Sequence, residues 1–254
     1  TRNEEVKRSG IEVAIAVDVS NSMLCQDVSP SRLDKSKMIV SKLIEQFDED
    51  KVGLVAFAGS AITLLPMTSD YVSAKMFLDQ LNPATISIQG TNVAEAITRA
   101  TAGFSKKADV NVGRALILIT DAEDNEDGAI EAAKEAHKEG IQIFVLSVGT
   151  EQGGPIPMSD GSFKKDLSGN VVTTKLNEQI GKNIAQAGGG MYIHVDQTNL
   201  AQSLLEKEIE KSRINEAEFN LLSVMLQYPN KHALIFESCS PEFFKDRINK
   251  LIFH

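Results

Sequence analysis

The run Ile11-Glu12-Val13-Ala14-Ile15-Ala16-Val17-Asp18 constrains this chain more than any other feature. Apart from Glu12 it is apolar at every position before Asp18, so a strand made from it must be covered on both faces, as a central strand of a parallel sheet is. Two more runs of this kind, at 114–120 and 141–148, are separated by stretches whose apolar residues recur at helical spacing. Strand-sized apolar runs interleaved with amphipathic helices predict an α/β fold with a doubly wound, mostly parallel sheet.

The remaining segments fill that frame. Ser29-Pro30 reads as an N-cap and first helical position, with Leu33, Val40, Leu43, Ile44 and Phe47 on one face of the helix that follows. Residues 51–58 and 61–65 are joined only by Gly59-Ser60, too short for a crossover, which predicts an antiparallel hairpin and one antiparallel edge strand. Residues 71–81, 91–104, 127–139 and 176–187 read as helices, with Gly140 suited to the left-handed position that closes the third. A last strand is expected at 191–195 and a closing helix at 199–212. Between 150 and 175 the turn signals Gly153-Gly154-Pro155, Asp160-Gly161 and Ser168-Gly169-Asn170 predict a projecting hairpin arm. Its apolar anchors are few, Ile156, Met158 and Phe163, so it is expected to be the most mobile part of the domain.

Residues 1–212 thus read as one α/β domain and 213–254 as a helical tail of two helices on either side of Pro229. The 26 Lys and Arg against 35 Asp and Glu give a net charge of −9, and the tail is balanced, so the acidity lies in residues 1–212. Such a surface repels phosphate backbones, which argues against a nucleic-acid partner. No apolar run reaches the roughly 18–20 residues that cross a bilayer. The chain opens Thr1-Arg2-Asn3-Glu4 without Met or leader, which reads as a processed chain or a piece of something longer. Cys25 and Cys239 are far apart and form neither a disulfide scaffold nor a zinc motif.

Chemistry concentrates where the predicted strands end. Asp18-Val19-Ser20-Asn21-Ser22 follows the first strand, and Asp121 ends the one at 114–120. Gly90-Thr91-Asn92 opens a helix with a hydroxyl at its start. In doubly wound sheets ligands bind at this carboxyl edge, in the crevice where strand order reverses. Asp18, Ser20, Ser22, Thr91 and Asp121 therefore converge on one crevice. A competing reading is that the hydroxyls only cap turns and helices while the carboxylates finish strands.

This set resembles the von Willebrand factor A domain, whose metal-ion-dependent adhesion site has the pattern Asp-x-Ser-x-Ser, then Thr, then Asp. The strings Ala16-Val17-Asp18-Val19-Ser20-Asn21-Ser22-Met23, Ser31-Arg32-Leu33, Gly53-Leu54-Val55-Ala56-Phe57-Ala58-Gly59 and Gln89-Gly90-Thr91 are similar more narrowly to the bacterial aerotolerance (Bat) branch. The resemblance covers residues 7–210. It implies a metal-dependent protein-interaction module of the bacterial cell envelope, membrane-anchored in the full-length protein, with the five residues as metal ligands. Many members have Gly after the last Asp, where Ala122 stands here; little effect on the carboxylate is expected. Oxygen ligands without His or Cys favour Mg²⁺, with Mn²⁺ or Ca²⁺ as substitutes, over zinc or copper. Two carboxylates balance a dication, so the site is expected to accept an Asp or Glu from a protein partner.

The alternative is a metal-dependent hydrolase or phosphotransferase with Asp18 as nucleophile and Asp121 as metal ligand. It would need a phosphate cradle and an acid or base, and neither a Lys near the crevice loops nor a phosphate loop is found in the sequence. Other features read more plainly. Glu123, Asp124, Glu126 and Asp127 look like a solvated acidic face, with a second cation site as the lesser reading. His137, His194, His232 and His254 are scattered and read as surface residues, and Gly149-Thr150-Glu151-Gln152-Gly153-Gly154 reads as turns. Cys25 reads as a small packing residue rather than a redox sensor. The tail, from Glu216 through Pro229 to Ser240-Pro241-Glu242-Phe243-Phe244, faintly resembles the small helical domains of replicative helicases and primases.

Overall fold

A computed structural model describes residues 10–105, 113–123 and 128–195. The closing helix and the tail expected beyond residue 195 lie outside the described residues, as do Asp124, Glu126, Asp127, His232 and His254. In chain order the main elements are β1 (Glu12–Asp18), α1 (Arg32–Ile44), β2 (Lys51–Phe57), β3 (Ala61–Thr68), α2 (Tyr71–Asp79), α3 (Val93–Thr101) and β4 (Arg114–Thr120). There follow α4 (Ala129–Lys138), β5 (Ile141–Val148), β6 (Gly154–Pro155), β7 (Thr173–Thr174), α5 (Glu178–Ala187) and β8 (Tyr192–Val195).

Six strands form one sheet in the order β3-β2-β1-β4-β5-β8. All its neighbours run parallel except β2 and β3, the hairpin expected from Gly59-Ser60. β1 is buried along its whole length, as a run apolar on both faces requires. Its Val13, Ile15 and Val17 face a core built with Leu33, Ile39, Val40 and Leu43 of α1 and Leu78 of α2. Its Ala14 and Ala16 face a second core with Ala96, Ile97 and Ala100 of α3, Ala133 and Ala136 of α4 and Ile184 of α5. Small residues on that side let the helices come close. Each large aliphatic side chain so buried contributes about 1.5–3 kcal/mol relative to exposure.

The β3 edge of the sheet is blunted. The pairing of β3 with β2 shifts register near Leu54 and Leu65, and Pro66, exposed in β3, has no N–H to offer the ladder.

The helix starts differ from expectation in instructive ways. Helix α1 begins at Arg32, not Pro30, because Ser31 is the cap: its side chain accepts from Asp34 N–H and its hydroxyl donates to Asp34. Helix α3 begins at Val93 with Asn92, not Thr91, as its cap, the Asn92 side chain accepting from Glu95 N–H. Helices α2, α4 and α5 are each shorter than expected at one or both ends, while Gly140 closes α4 with φ 82° as its position suggests. The arm exists as the short β6–β7 pair with further bridges Pro157–Phe163 and Lys165–Val171. Of its three expected anchors only Ile156 is buried; Met158 and Phe163 are 45% and 47% exposed.

Candidate metal centre

The switch in strand order falls between β1 and β4, where one connection leads toward β2 and the next toward β5. Val17 pairs with Ile119, so Asp18 and Asp121 leave the sheet side by side at its carboxyl edge. Both carboxylates are completely buried. Asp18 accepts Ser20 N–H at 2.9 Å on Oδ1 and the Thr120 hydroxyl at 2.7 Å on Oδ2. The Ser20 and Ser22 hydroxyls are 2.9 Å apart, and Ser22 also supports the Asp121 carboxylate.

Thr91 belongs to a loop fastened to the same edge. Asn92 N–H donates to Ala58 O at 2.7 Å, Gly59 N–H to Ile88 O at 2.9 Å, and Asn21 N–H to Gln89 Oε1 at 3.2 Å. A Cβ on Gly59 would stand 2.5 Å from Gln89 O and 2.9 Å from Ile88 O, both backbone atoms. Gly59→Ala is therefore expected to push the Thr91 loop outward and, if this edge holds a divalent cation, to weaken its binding about tenfold, as loss of outer support does at metal sites, with the far-ultraviolet spectrum retained. Titration calorimetry checks it.

The geometry bears on the capping alternative. Ser20 precedes a turn of 3₁₀ helix (Asn21–Leu24) but its side chain makes no cap bond, and Asn92 relieves Thr91 of capping α3. The hydroxyls at these positions are not spent on helix ends. Burial, reinforced by the neighbouring Asp121, pushes the Asp18 carboxyl up to about 7 against the pull of Ser20 and Thr120. Burial also raises Asp121, although the Arg32 guanidinium opposes it. Asp18 and Asp121 have beside them a guanidinium that Asp121 shares with Asp27, so the buried groups keep a net negative charge, which suits a divalent cation. Among the described residues no three His, Cys, Asp or Glu side chains cluster as ligands, so hydroxyls must complete any such set.

Arg32 is the crevice residue to which sequence reasoning gave no role. Fully buried at the start of α1, it donates from Nη1 to Asp121 Oδ2 at 2.8 Å and to Thr174 Oγ1 at 3.0 Å. Its Nε and Nη2 grip Asp27 at 2.8 and 2.7 Å. Burial works against Asp27, yet the Arg32 fork and Thr150 N–H hold it down at about 2. The crevice thus does contain a cation, though as arginine rather than lysine, and with every bonding direction engaged.

Glu123 turns inward rather than joining a solvated face. Thr174 Oγ1 donates to Oε2 at 2.5 Å and Lys175 N–H to Oε1 at 2.6 Å. Ala122 between Asp121 and Glu123 has φ 55°, the conformation that glycine adopts freely. An L-residue there costs about 1–2 kcal/mol, which is the physical reason a glycine suits this position. The strain sits in the backbone, and Asp121 stays clamped by Glu123 N–H on Oδ1 and Arg32 on Oδ2. His194 is half-buried rather than on the surface, bonded to Gly149 O and near Glu178. Cys25 is buried and its thiol is pushed up by that burial, as a packing residue should be. An open cleft of about 680 Å³ is lined by Glu123, Glu151, Lys175 and Glu178 among others.

A model of the von Willebrand factor type A domain matches residues 13–123. The solved structure of BatB from Bacteroides thetaiotaomicron, a conserved hypothetical protein, is 51% identical, with a TM-score of 0.77 over 80% of this chain and 98% of that one. An aerotolerance-related membrane protein from Bacteroides fragilis is 50% identical, with a TM-score of 0.76 over 80% of this chain and 100% of that one. A UPF0353 protein of Mycolicibacterium gilvum is 30% identical over 213 residues, 71% of this chain and 64% of that protein, so the chain spans less than two thirds of this relative's length. A more distant likeness in fold, 18% identical with a TM-score of 0.59 over 82% of this chain and 47% of the other, is the mussel byssus proximal thread matrix protein 1 with a zinc-occupied MIDAS motif. Fold, switch-point carboxylates and relatives agree: the chain belongs to the von Willebrand factor type A domain family, in its Bat aerotolerance-related branch.

Proposed function

We propose that the domain is a metal-dependent protein-interaction module of the bacterial cell envelope. Asp18, Ser20, Ser22, Thr91 and Asp121 would hold one divalent cation, and a partner's Asp or Glu would complete its shell. The observation that carries this reading is the pairing of buried Asp18 and Asp121 at the switch point beside hydroxyls that cap nothing. The zinc-bearing mussel relative supports a dication at this position. The all-oxygen donor set favours Mg²⁺, with Mn²⁺ or Ca²⁺ as substitutes. Five side chains leave at least one position of an octahedral shell for solvent or a ligand. A bound cation supplies the attraction for an acidic side chain that a chain of charge −9 would otherwise repel.

Envelope placement rests on the name of the Bacteroides fragilis relative, a membrane protein. Among the described residues no helix is long and apolar enough to cross a membrane, so an anchor would lie elsewhere in the full-length protein. The hydrolase alternative fits less well. Asp18 is fully buried with both oxygens already bonded, a poor state for a nucleophile.

Mn²⁺ is the direct probe. Protein-bound Mn²⁺ is expected to enhance water-proton relaxation, and an Asp-containing peptide to lower that enhancement while a matched Asn peptide does not. Chelator should abolish both signals and leave the circular dichroism unchanged. Turnover of phosphoesters in Mg²⁺, lost in Asp18→Asn, would replace this reading by the hydrolase.

A further inference from the structure

The arm meets the metal centre at both of its feet. At the first, Thr150 donates its N–H to Asp27 Oδ2 at 2.8 Å and its hydroxyl to the same oxygen at 3.0 Å. Asp27 in turn is held by two nitrogens of Arg32. At the second, Thr174 of β7 accepts from Arg32 Nη1 through Oγ1 and, more loosely, from Nη2 through its carbonyl at 3.4 Å. The same Thr174 hydroxyl donates to Glu123, whose backbone N–H donates to Asp121 Oδ1 at 3.2 Å.

These bonds close a ring: Asp121 Oδ2 to Arg32, Arg32 to Thr174, Thr174 to Glu123, and Glu123 back to Asp121 Oδ1. Both oxygens of Asp121 are thereby aimed by groups that also hold the arm. Thr174 is 1% exposed and Arg32 and Asp121 are fully buried, so water does not compete for the bonds among these three, while the two through Glu123 are half-buried. A planar guanidinium suits the task, since its fork fixes direction as well as charge. By contrast the arm beyond its base has Met158, Phe163, Leu167 and Val171 exposed. It is therefore secured where it joins the crevice and open to solvent farther out.

We propose that Arg32 is a positioning residue that makes the base of the arm part of the metal centre, so that cation binding at Asp121 and ordering of the arm reinforce each other. The proposal rests on the reading of the five crevice residues as metal ligands. Its physical content is reciprocity: whatever fixes Asp121 tightens Thr174 and Asp27, and whatever tightens the arm holds Asp121 ready. A partner that touches the arm while offering a carboxylate to the cation would then gain from both contacts.

The test pairs Mg²⁺ titration calorimetry with amide hydrogen exchange on the full chain. In the unmodified protein Mg²⁺ should slow exchange at Lys164 and Val172, which bond across the arm to Ile156 O and Lys164 O, by at least about fivefold. Thr174→Val removes one link without altering charge or size, and Thr150→Val loosens the other foot. Each is expected to bind Mg²⁺ about 3–10-fold more weakly and to lose most of the protection that Mg²⁺ confers on the arm. Arg32→Lys, which keeps charge but not the fork, should behave likewise. If the unmodified protein binds Mg²⁺ while exchange in the arm is unchanged, or if Thr174→Val and Thr150→Val both bind and protect normally, the coupling is wrong and the metal reading stands. If neither Mg²⁺ nor Mn²⁺ binds the unmodified protein, the metal reading itself fails and takes the coupling with it.

Discussion

Arg32→Met is expected to cost about 3–5 kcal/mol of stability, the range seen when one partner of a buried ion pair is removed and the other is stranded. Two carboxylates would be stranded at once, since Asp27 and Asp121 share this guanidinium within 2.8 Å. At roughly 2–4 °C per kcal/mol for a fold of this size, melting should fall by about 6–20 °C. The cause can be separated from lost packing by a second substitution. If stranded charge is responsible, Asp27→Asn added to Arg32→Met recovers part of the loss, and the two changes are not additive. A double variant no more stable than Arg32→Met alone would assign the loss to the Arg32 stem instead. The wild-type pair has a pH signature as well. Asp27 is held below its ordinary value, so the stability it contributes is fully present above pH 3.8 and is lost as pH falls through about 2.

Asp18→Asn should produce the opposite pattern, no metal binding together with a metal-free protein at least as stable as the wild type. The sign follows from the folded carboxyl lying above its unfolded value, at about 7 against 3.8. For such a group the favourable contribution is complete below pH 3.8, declines between 3.8 and about 7, and becomes a full penalty at higher pH. Metal-free wild type should therefore melt lower at pH 8 than at pH 5 through this group, whereas the Asn variant should not show that decline. The amide keeps an oxygen for Ser20 N–H, so the turn after β1 survives. Added Mg²⁺ at a hundred times its dissociation constant should stabilise wild type by about 2.7 kcal/mol and the variant not at all. Thermal melts at both pH values, with Mg²⁺ and with chelator, check every part of this. A metal-free Asn variant that melts far below wild type at pH 8 would show that Asp18 serves the fold rather than a cation.

The strands and the crevice were legible in the sequence because their signals are local. Val13 to Val17 announce burial on two faces, and Asp18, Ser20 and Ser22 follow directly at the edge where ligands gather. The role of Arg32 was not legible, since a polar residue in the first turn of a helix normally faces water. What buries it are Asp121 and Thr174, 89 and 142 residues away. Glu123 was misread for the same reason, its acceptors being filled from positions 174 and 175. The start of α1 was ambiguous in a different way. Ser29-Pro30 and Ser31 both satisfy local capping preferences, and only the mutual bonds between Ser31 and Asp34 choose between them. Met158 and Phe163 show the limit of apolarity as a guide, for in an arm of short bridged segments few neighbours exist to bury them.

The blunted β3 edge has a consequence for molecules held close together. A flat outer strand is a template on which a neighbour's backbone can grow a seventh strand, and crowding makes that growth more frequent. Here Pro66 and the slipped register near Leu65 interrupt the template within a few residues. Copies of this domain can lie with their β3 flanks together without fusing their sheets there.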